Sequence, residues 1–184
     1  QIQGNGSRGR VRKLQCPRQS NRFGWVTSLP PSIGRLQSLK ELSLYNTKLL
    51  KSLTEEIGNL GSLVELNLRG SGITSLPPSI GNLQSLKYLN LGYTKRLTCL
   101  PEEIGDLGSL VKFNLSYSGI TSIPPSIGRL QSLQKLYIYY TKQLTYLPEE
   151  IGNLGSLTEL DLSYSGITSL PPSIGNLSSS VFQY

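Results

Sequence analysis

SGITSLPPSIGNLQSLKYLNLGYTKRLTCLPEEIGDLGSLVKFNLSY, residues 71–117, is followed directly by a second copy of itself. Residues 118–164 reproduce it with 33 positions identical and 14 changed, so a 47-residue unit occurs twice in tandem. Each unit divides again into two half-units, 71–93 and 94–117, the second longer by a single position. A period in the twenties marks a solenoid, in which each repeat is one supersecondary element that can bury its apolar face only against its neighbours. The chain is therefore read as stacked coils rather than as a closed globule.

Working outward from the duplicated unit, six segments follow L-x-x-L-x-L-x-x-(T/S). They are Leu39/Leu42/Leu44 with Thr47, Leu63/Leu66/Leu68 with Ser71, Leu86/Leu89/Leu91 with Thr94, Leu110/Phe113/Leu115 with Ser118, Leu133/Leu136/Ile138 with Thr141, and Leu157/Leu160/Leu162 with Ser165. Their starts, at Leu39, Leu63, Leu86, Leu110, Leu133 and Leu157, alternate a longer step with one shorter by a single position. Alternating apolar and polar residues predict one short strand per coil with a single buried face. Stacked about 4.8 Å apart, the six would form a parallel sheet, and the alternation leaves its outer face open.

The return path is L-P-x-x-I-G-x-L. Pro101 and Pro148, each followed by a Glu pair, are expected in the first turn of a short helix, where proline loses no needed donor and carboxylates meet the positive end of the dipole. Gly58, Gly81, Gly105, Gly128 and Gly152 are expected to end or tighten those turns. Coils with Thr carry one residue more than coils with Ser, between the hydroxyl and the next leucine, and this residue should bulge at the bend without shifting the strands.

Over residues 29–177 this pattern resembles the leucine-rich repeat family. The resemblance implies an α/β solenoid, a right-handed curved coil with a parallel sheet on the concave face and short helical or 3-10 turns on the convex face. The L-P-x-x-I-G-x-L block is similar to that of plant intracellular Ras-group-related repeats, Roco-type proteins and plant nucleotide-binding immune receptors. The family usually places Asn where this chain has Thr47, Ser71, Thr94, Ser118, Thr141 and Ser165; hydroxyl residues there are also seen in the plant immune-receptor type. A hydroxyl offers one donor where an amide offers two. The inner ladder should then be sparsely bonded and the coils held mainly by leucine packing.

Three segments follow: a basic N-terminal segment (1–28) that is either a partial cap or a flexible tail, the solenoid (29–177) and a C-terminal end (178–184). Residues 1–40 hold eight Lys or Arg and no acid, whereas 41–184 hold ten basic and eleven acidic residues, so the net charge of +7 belongs to the N-terminal stretch. Arg8, Arg10, Arg12, Lys13, Arg18 and Arg22 would allow contact with nucleic acid or anionic lipid; a solvated terminus competes with that reading. GNGSRG (4–9) matches G-x-G-x-x-G but has only three residues before it, too few for the strand a dinucleotide site needs. Phe23, Trp25 and Val26 could cover the first coil. At the other end Ser180 stands where earlier coils have Leu86 or Leu133, so the core pattern stops, and Val181, Phe182 and Tyr184 either fold over the last coil or pack on further sequence.

Two cysteines, Cys16 and Cys99, read as free thiols of a reducing compartment rather than a disulfide framework, which places the chain in the cytoplasm. Sequons at Asn5, Asn114 and Asn176, together with a first residue that is Gln, keep an extracellular setting and a larger parent protein open. No apolar run spans a bilayer and no signal-peptide core is present.

Histidine is absent. That removes His-dependent nucleophile pairs and His-based zinc sites together, and two isolated cysteines cannot replace them. There is no phosphate-cradling G-x-x-x-x-G-K-(S/T) loop. The Glu55/Glu56, Glu102/Glu103 and Glu149/Glu150 pairs recur once in every second coil and read as helix-start charge rather than acid–base or cation sites. The chain is expected to be no enzyme and to hold no cofactor or metal.

The duplicated units differ where they face outward. Seven of the ten outward strand positions change between copies, against seven of the other 37. Lys87 becomes Gln134, Tyr88 becomes Lys135, Asn90 becomes Tyr137, Gly92 becomes Tyr139, Val111 becomes Thr158, Lys112 becomes Glu159 and Asn114 becomes Asp161, while the Pro-Pro-Ser and Glu-Glu blocks stay fixed. A retained frame with a diversified concave face predicts a protein or peptide partner there. Candidate contacts are Tyr45, Glu65, Arg69, Tyr88, Tyr93, Lys112, Tyr117, Lys135, Tyr137, Tyr139, Tyr140, Glu159, Asp161 and Tyr164. Tyrosine supplies contact area at little rotamer cost, and the mixed charges suit a protein surface better than a polyanion. Tyrosines that merely stack along the ladder are the competing explanation. The pattern implies the recognition part of a signalling or immune-type receptor; the alternative is an intracellular scaffold beside a GTPase or ATPase domain.

Overall fold

The computed structural model describes residues 3–4, 11–15, 26–177 and 182–183. The backbone forms one nine-stranded sheet whose strands lie in chain order. These are β1 (Gln3–Gly4), β2 (Lys13–Gln15), β3 (Glu41–Ser43), β4 (Glu65–Asn67), β5 (Tyr88–Asn90), β6 (Lys112–Asn114), β7 (Lys135–Tyr137), β8 (Glu159–Asp161) and β9 (Phe182–Gln183). Strand β1 pairs antiparallel with β2, and every later pair is parallel. The register aligns Leu42, Leu66, Leu89, Phe113, Leu136 and Leu160 across six neighbours. The extra residue of the Thr coils is absorbed at the bend, so the strands stay in step.

The sheet is longer than the six strands the leucine pattern marks. Lys13–Gln15 adds a strand before β3, with Leu14 buried beside Leu42, so part of the segment read as cap or tail is integral to the sheet. At the other end Phe182 pairs with Leu160. That step is one position shorter than the steps from Leu66 to Leu89 and from Phe113 to Leu136, because the last segment has lost a residue. Cys16, the glycine-rich stretch at 5–9, Arg8, Arg10, Arg18, Arg22, Phe23, Trp25, Val181 and Tyr184 lie outside the described residues. Val26 packs against the core from a half-buried position.

On the opposite side each coil makes a five-residue 3-10 turn, from Pro31–Arg35 through Pro172–Asn176. Pro101 and Pro148 sit just outside their turns, at the N-cap with extended backbone, and the Glu pair opens the turn. In the Pro-Pro coils the second proline occupies the first helical position, where its missing N–H leaves nothing unsatisfied. Their glycines have a different role from the expected one. None has positive φ; a Cβ on Gly81 would stand 2.7 Å from the Glu103 carbonyl oxygen, and one on Gly128 would stand 2.6 Å from that of Glu150. These glycines let successive turns approach closely rather than terminating them.

Seven side chains per coil fill the interior, for example Leu86, Leu89, Leu91, Leu97, Leu100, Ile104 and Leu107, all essentially inaccessible. Each contributes about 1.5–3 kcal/mol when fully buried, which offsets the backbone entropy of ordering the coil. The hydroxyl column behaves as its chemistry dictates. Thr47, Thr94 and Thr141 each donate to the carbonyl three residues back, at 2.6–2.7 Å, and the buried Ser71 and Ser118 hydroxyls have no partner among the described residues. None of these hydroxyls bridges one coil to the next, so the column adds little cohesion between coils beyond the apolar core.

Candidate functional site

The fourteen candidate residues all fall on the outward side of the sheet, where they form four columns that cross the strands. At the strand starts lie Glu65, Tyr88, Lys112, Lys135 and Glu159. Two residues on, Tyr137 and Asp161 continue a column of Asn67, Asn90 and Asn114. Tyr45, Arg69 and Tyr139 share the next column, and Tyr93, Tyr117, Tyr140 and Tyr164 form the last. Tyr45, Tyr88, Tyr93, Tyr140 and Tyr164 are exposed; Tyr117, Tyr137, Tyr139, Lys135, Glu159 and Asp161 are half-buried.

The last column is an aromatic stack. Ring centroids lie 4.4 Å apart from Tyr93 to Tyr117, 4.5 Å from Tyr117 to Tyr140 and 4.6 Å from Tyr140 to Tyr164, with interplanar angles of 7–24°. Tyr139 meets Tyr117 and Tyr140 edge-on. The Arg69 guanidinium covers the Tyr93 ring at 4.7 Å and so caps one end. Desolvation within the stack, followed by the neighbouring Tyr93 and Tyr140, pushes the Tyr117 phenol upward from its ordinary value. The stacking that competes with a recognition role is thus real, and it leaves Tyr93, Tyr140 and Tyr164 exposed.

What the residue pattern did not reveal is the backbone beneath the rings. Tyr93, Tyr117, Tyr140 and Tyr164 have φ of 56–61°, in the left-handed region, as do Asn46 and Gly70 at the same place in earlier coils. The conformation is imposed by the ladder: the amide of each stacked ring except the last donates to the next coil, as Tyr93 does to the Ser116 carbonyl at 2.8 Å and Tyr117 to that of Tyr139 at 3.0 Å. Glycine or asparagine is at ease there, whereas another L side chain costs about 1–2 kcal/mol. The shared position of Asn46, Gly70 and the tyrosines was the available signal.

A second feature missed from sequence is the column of Asn67, Asn90, Asn114 and Asp161. Each side-chain oxygen accepts from the backbone N–H two residues later, at 2.9–3.0 Å, and so turns the chain out of its strand. Asp161 is therefore a structural residue at the edge of the candidate surface. The change from Asn114 to Asp161 keeps the acceptor, whereas the change from Asn90 to Tyr137 does not. Gly92, named above among the outward positions, and Ser116, at the same place in the next coil, are buried.

Charges along the first column are partly neutralised. Lys13 pairs with Glu41, and Lys135 Nζ lies 2.7 Å from a Glu159 carboxylate oxygen. The Lys135 hydrogen bond is the main reason the Glu159 carboxyl is held below its usual range, and it raises the Lys135 ammonium in turn. Burial, then hydrogen bonding to Glu159, raises the Tyr137 phenol. Between the pairs, Glu65, Tyr88, Asn90, Lys112 and Asn114 border an open hollow of about 330 Å³. Among the described residues no three of His, Cys, Asp and Glu come together as metal ligands, and no helix is long and apolar enough to cross a membrane. Cys99 is exposed.

A leucine-filled solenoid with one open, chemically varied sheet face defines the class of repeat recognition scaffolds. The chain belongs to the leucine-rich repeat family: a model described as a leucine-rich repeat region matches residues 27–97 and 79–146, and a second, described as a leucine rich repeat, matches 156–177. No curated protein matches at a significant level. Among solved structures, the plant peptide hormone receptor RGFR1 in complex with RGF2 is 36% identical, with TM-score 0.72, over 84% of this chain and 25% of that one. The leucine-rich repeat domain of the type III effector XopL is 31% identical, with TM-score 0.75, over 85% and 56%. The Arabidopsis receptor kinase HAESA in complex with the peptide hormone IDA and the co-receptor SERK1 is 25% identical, with TM-score 0.62, over 94% and 33%. This chain thus spans between a quarter and just over half of the length of those proteins.

Proposed function

We propose that the chain is a non-enzymatic recognition region that binds a protein or peptide partner on the outward, concave face of the sheet, as part of a signalling or immune-type receptor. The observation that carries this is the tyrosine stack. Four tyrosines occupy a backbone position that glycine or asparagine fills without strain, and strain retained at a surface position is a reason to infer a role beyond stability. Tyrosine rings and Arg69 offer the aromatic and guanidinium anchors that dominate protein interfaces. Similarity to two plant receptors solved with peptide hormones supports the same reading. The second reading, an intracellular scaffold region beside a GTPase or ATPase domain, rests on the L-P-x-x-I-G-x-L block; similarity to the repeat domain of an effector agrees only with its being a repeat region within a larger protein.

The test is selection of a displayed random-peptide library on the folded chain. Binders are then measured on a variant carrying Tyr117→Asn, Tyr139→Ala and Tyr140→Asn, in which asparagine suits the left-handed positions. Selected peptides should lose at least tenfold in affinity, about 1.4 kcal/mol, while the far-ultraviolet dichroism of the variant is unchanged. Affinities that survive the triple replacement would remove the stack from the binding surface.

A further inference from the structure

The first column of the sheet face carries two opposite charges that are in no ion pair among the described residues. In strand order it reads Lys13, Glu41, Glu65, Tyr88, Lys112, Lys135 and Glu159. Lys13 with Glu41 and Lys135 with Glu159 are ion-paired at the two ends. Glu65 and Lys112 are in no ion pair among the described residues, although both are exposed. They stand on β4 and β6 with Tyr88 of β5 between them, so their Cα atoms are two strand spacings, about 9.6 Å, apart. Tyr88 and the distance prevent them from neutralising each other. Lys112 Nζ lies 5.0 Å from the Tyr137 ring centre, which holds the ammonium at one rim of the hollow. Asn90 and Asn114, two residues further along their strands, line the same hollow.

We infer that this hollow selects a protein segment presenting one cationic and one anionic side chain on the same face, two strand spacings apart, with the cation against Glu65 and the anion against Lys112. The inference rests on the recognition reading above and adds the chemistry of the partner to it. Opposite unpaired charges at the two rims reject segments with two like charges, because one of the two always meets its own sign. The separation selects as well: a polyproline II segment repeats its face every three residues, about 9.3 Å, which matches two strand spacings. Tyr88 between the rims offers a ring against which such a segment can pack, as aromatic-lined grooves do for extended proline-rich ligands.

Ruler peptides test both parts. The isotope-labelled chain is titrated with acetylated, amidated Lys-Pro-Pro-Asp, with Lys-Pro-Asp and Lys-(Pro)5-Asp as spacing controls, and with Lys-Pro-Pro-Lys and Asp-Pro-Pro-Asp as charge controls. Amide shifts at residues 65–69, 88–92 and 112–116 are followed by NMR. Solvent-exposed ion pairs predict a preference for Lys-Pro-Pro-Asp of roughly threefold over the spacing controls, which can keep one pair, and of roughly tenfold over the charge controls, which lose one pair and gain a repulsion. Glu65→Lys should make Asp-Pro-Pro-Asp the best binder, and Lys112→Glu should make Lys-Pro-Pro-Lys the best. A ranking that ignores spacing, a ranking unmoved by both charge reversals, or no shift on these strands with any peptide overturns the inference. Library peptides that still depend on the tyrosine stack in that case leave the recognition reading standing, whereas loss of that dependence removes the reading itself.

Discussion

Replacing Tyr117 in turn by glycine, asparagine and alanine separates what its ring contributes from what its backbone costs. The ring stacks on Tyr93 at 4.4 Å and Tyr140 at 4.5 Å and meets Tyr139 edge-on at 5.5 Å. Each aromatic pair is worth about 0.5–1.5 kcal/mol beyond buried area, so all three variants lose roughly 1.5–4.5 kcal/mol of contact. They differ in the backbone. At φ of 58° alanine retains the left-handed penalty of about 1–2 kcal/mol, which glycine escapes. Glycine gives back about 0.5–1 kcal/mol through the greater entropy of its unfolded chain. Glycine and asparagine should therefore both be more stable than alanine, glycine by about 1 kcal/mol, in urea unfolding followed by circular dichroism. Tyr139, adjacent and outside the positive-φ set, is the control, where alanine should match or exceed glycine. Alanine as stable as glycine at Tyr117 would refute the claim that the ladder imposes this conformation.

Three further outcomes follow from the frame. Gly81→Ala places a Cβ 2.7 Å from the Glu103 carbonyl oxygen and should cost about 1–3 kcal/mol or more in urea melts; Gly61→Ala, with nothing within 4 Å, should leave stability unchanged or raise it by about 0.4–1 kcal/mol. Thr94→Val loses the 2.6 Å bond to the Leu91 carbonyl and should cost about 1 kcal/mol, whereas Ser118→Ala removes a buried hydroxyl without a partner and should be neutral or stabilising in the same assay. Glu159 has a depressed carboxyl, so its ion-pair contribution is present above the unfolded carboxylate range and fades as pH falls through its folded value. Lys135 is raised, so its share persists below the unfolded lysine value and fades as pH rises through the folded one. The small stability gap between wild type and Glu159→Gln, measured by thermal melts across pH, should be open at neutrality and close on acidification.

Leucine spacing made the strands and their register legible because one buried face admits only one alignment of Leu42, Leu66, Leu89, Phe113, Leu136 and Leu160. Placement of Tyr88, Tyr137 and Tyr139 outside followed from the same alternation, whereas Tyr93, Tyr117, Tyr140 and Tyr164, five positions after the strand start, break it through their left-handed backbone. Three things did not follow. The left-handed backbone at Tyr93 arises from a hydrogen bond to Ser116 in the next coil, and composition carries no trace of a bond between coils. The glycines of the 3-10 turns have the residue type of a helix stop, but their reason is the neighbouring turn, visible only when two coils are stacked. Lys13–Gln15 was not legible because one buried leucine, Leu14, is too short a pattern to declare a strand, although it is enough to extend an existing sheet edge.

The two-coil period has a mechanical origin that also explains where variation is permitted. Past the tyrosine column, between the hydroxyl residue of each coil and its 3-10 turn, the backbone bonds between coils among the described residues run from a Ser coil to the Thr coil before it: Gly72 to Thr47, Thr74 to Lys51, Gly119 to Thr94, Thr121 to Thr98, Gly166 to Thr141 and Thr168 to Thr145. A Cβ at Gly72, Gly119 or Gly166 would collide with the carbonyl of Lys48, Lys95 or Lys142. The extra residue of each Thr coil thus pushes a carbonyl outward, and the shortened Ser-Gly bend of the following coil receives it. A Thr coil and its Ser coil form one locked pair, so duplication in steps of two coils preserves a complete mechanical unit. The strand-start column takes no part in that lock, and charge can reverse from Lys112 to Glu159 at equivalent positions without touching the frame. Stability resides in the leucine interior and the paired bends, which leaves the rims of the sheet face free to be set by what they contact.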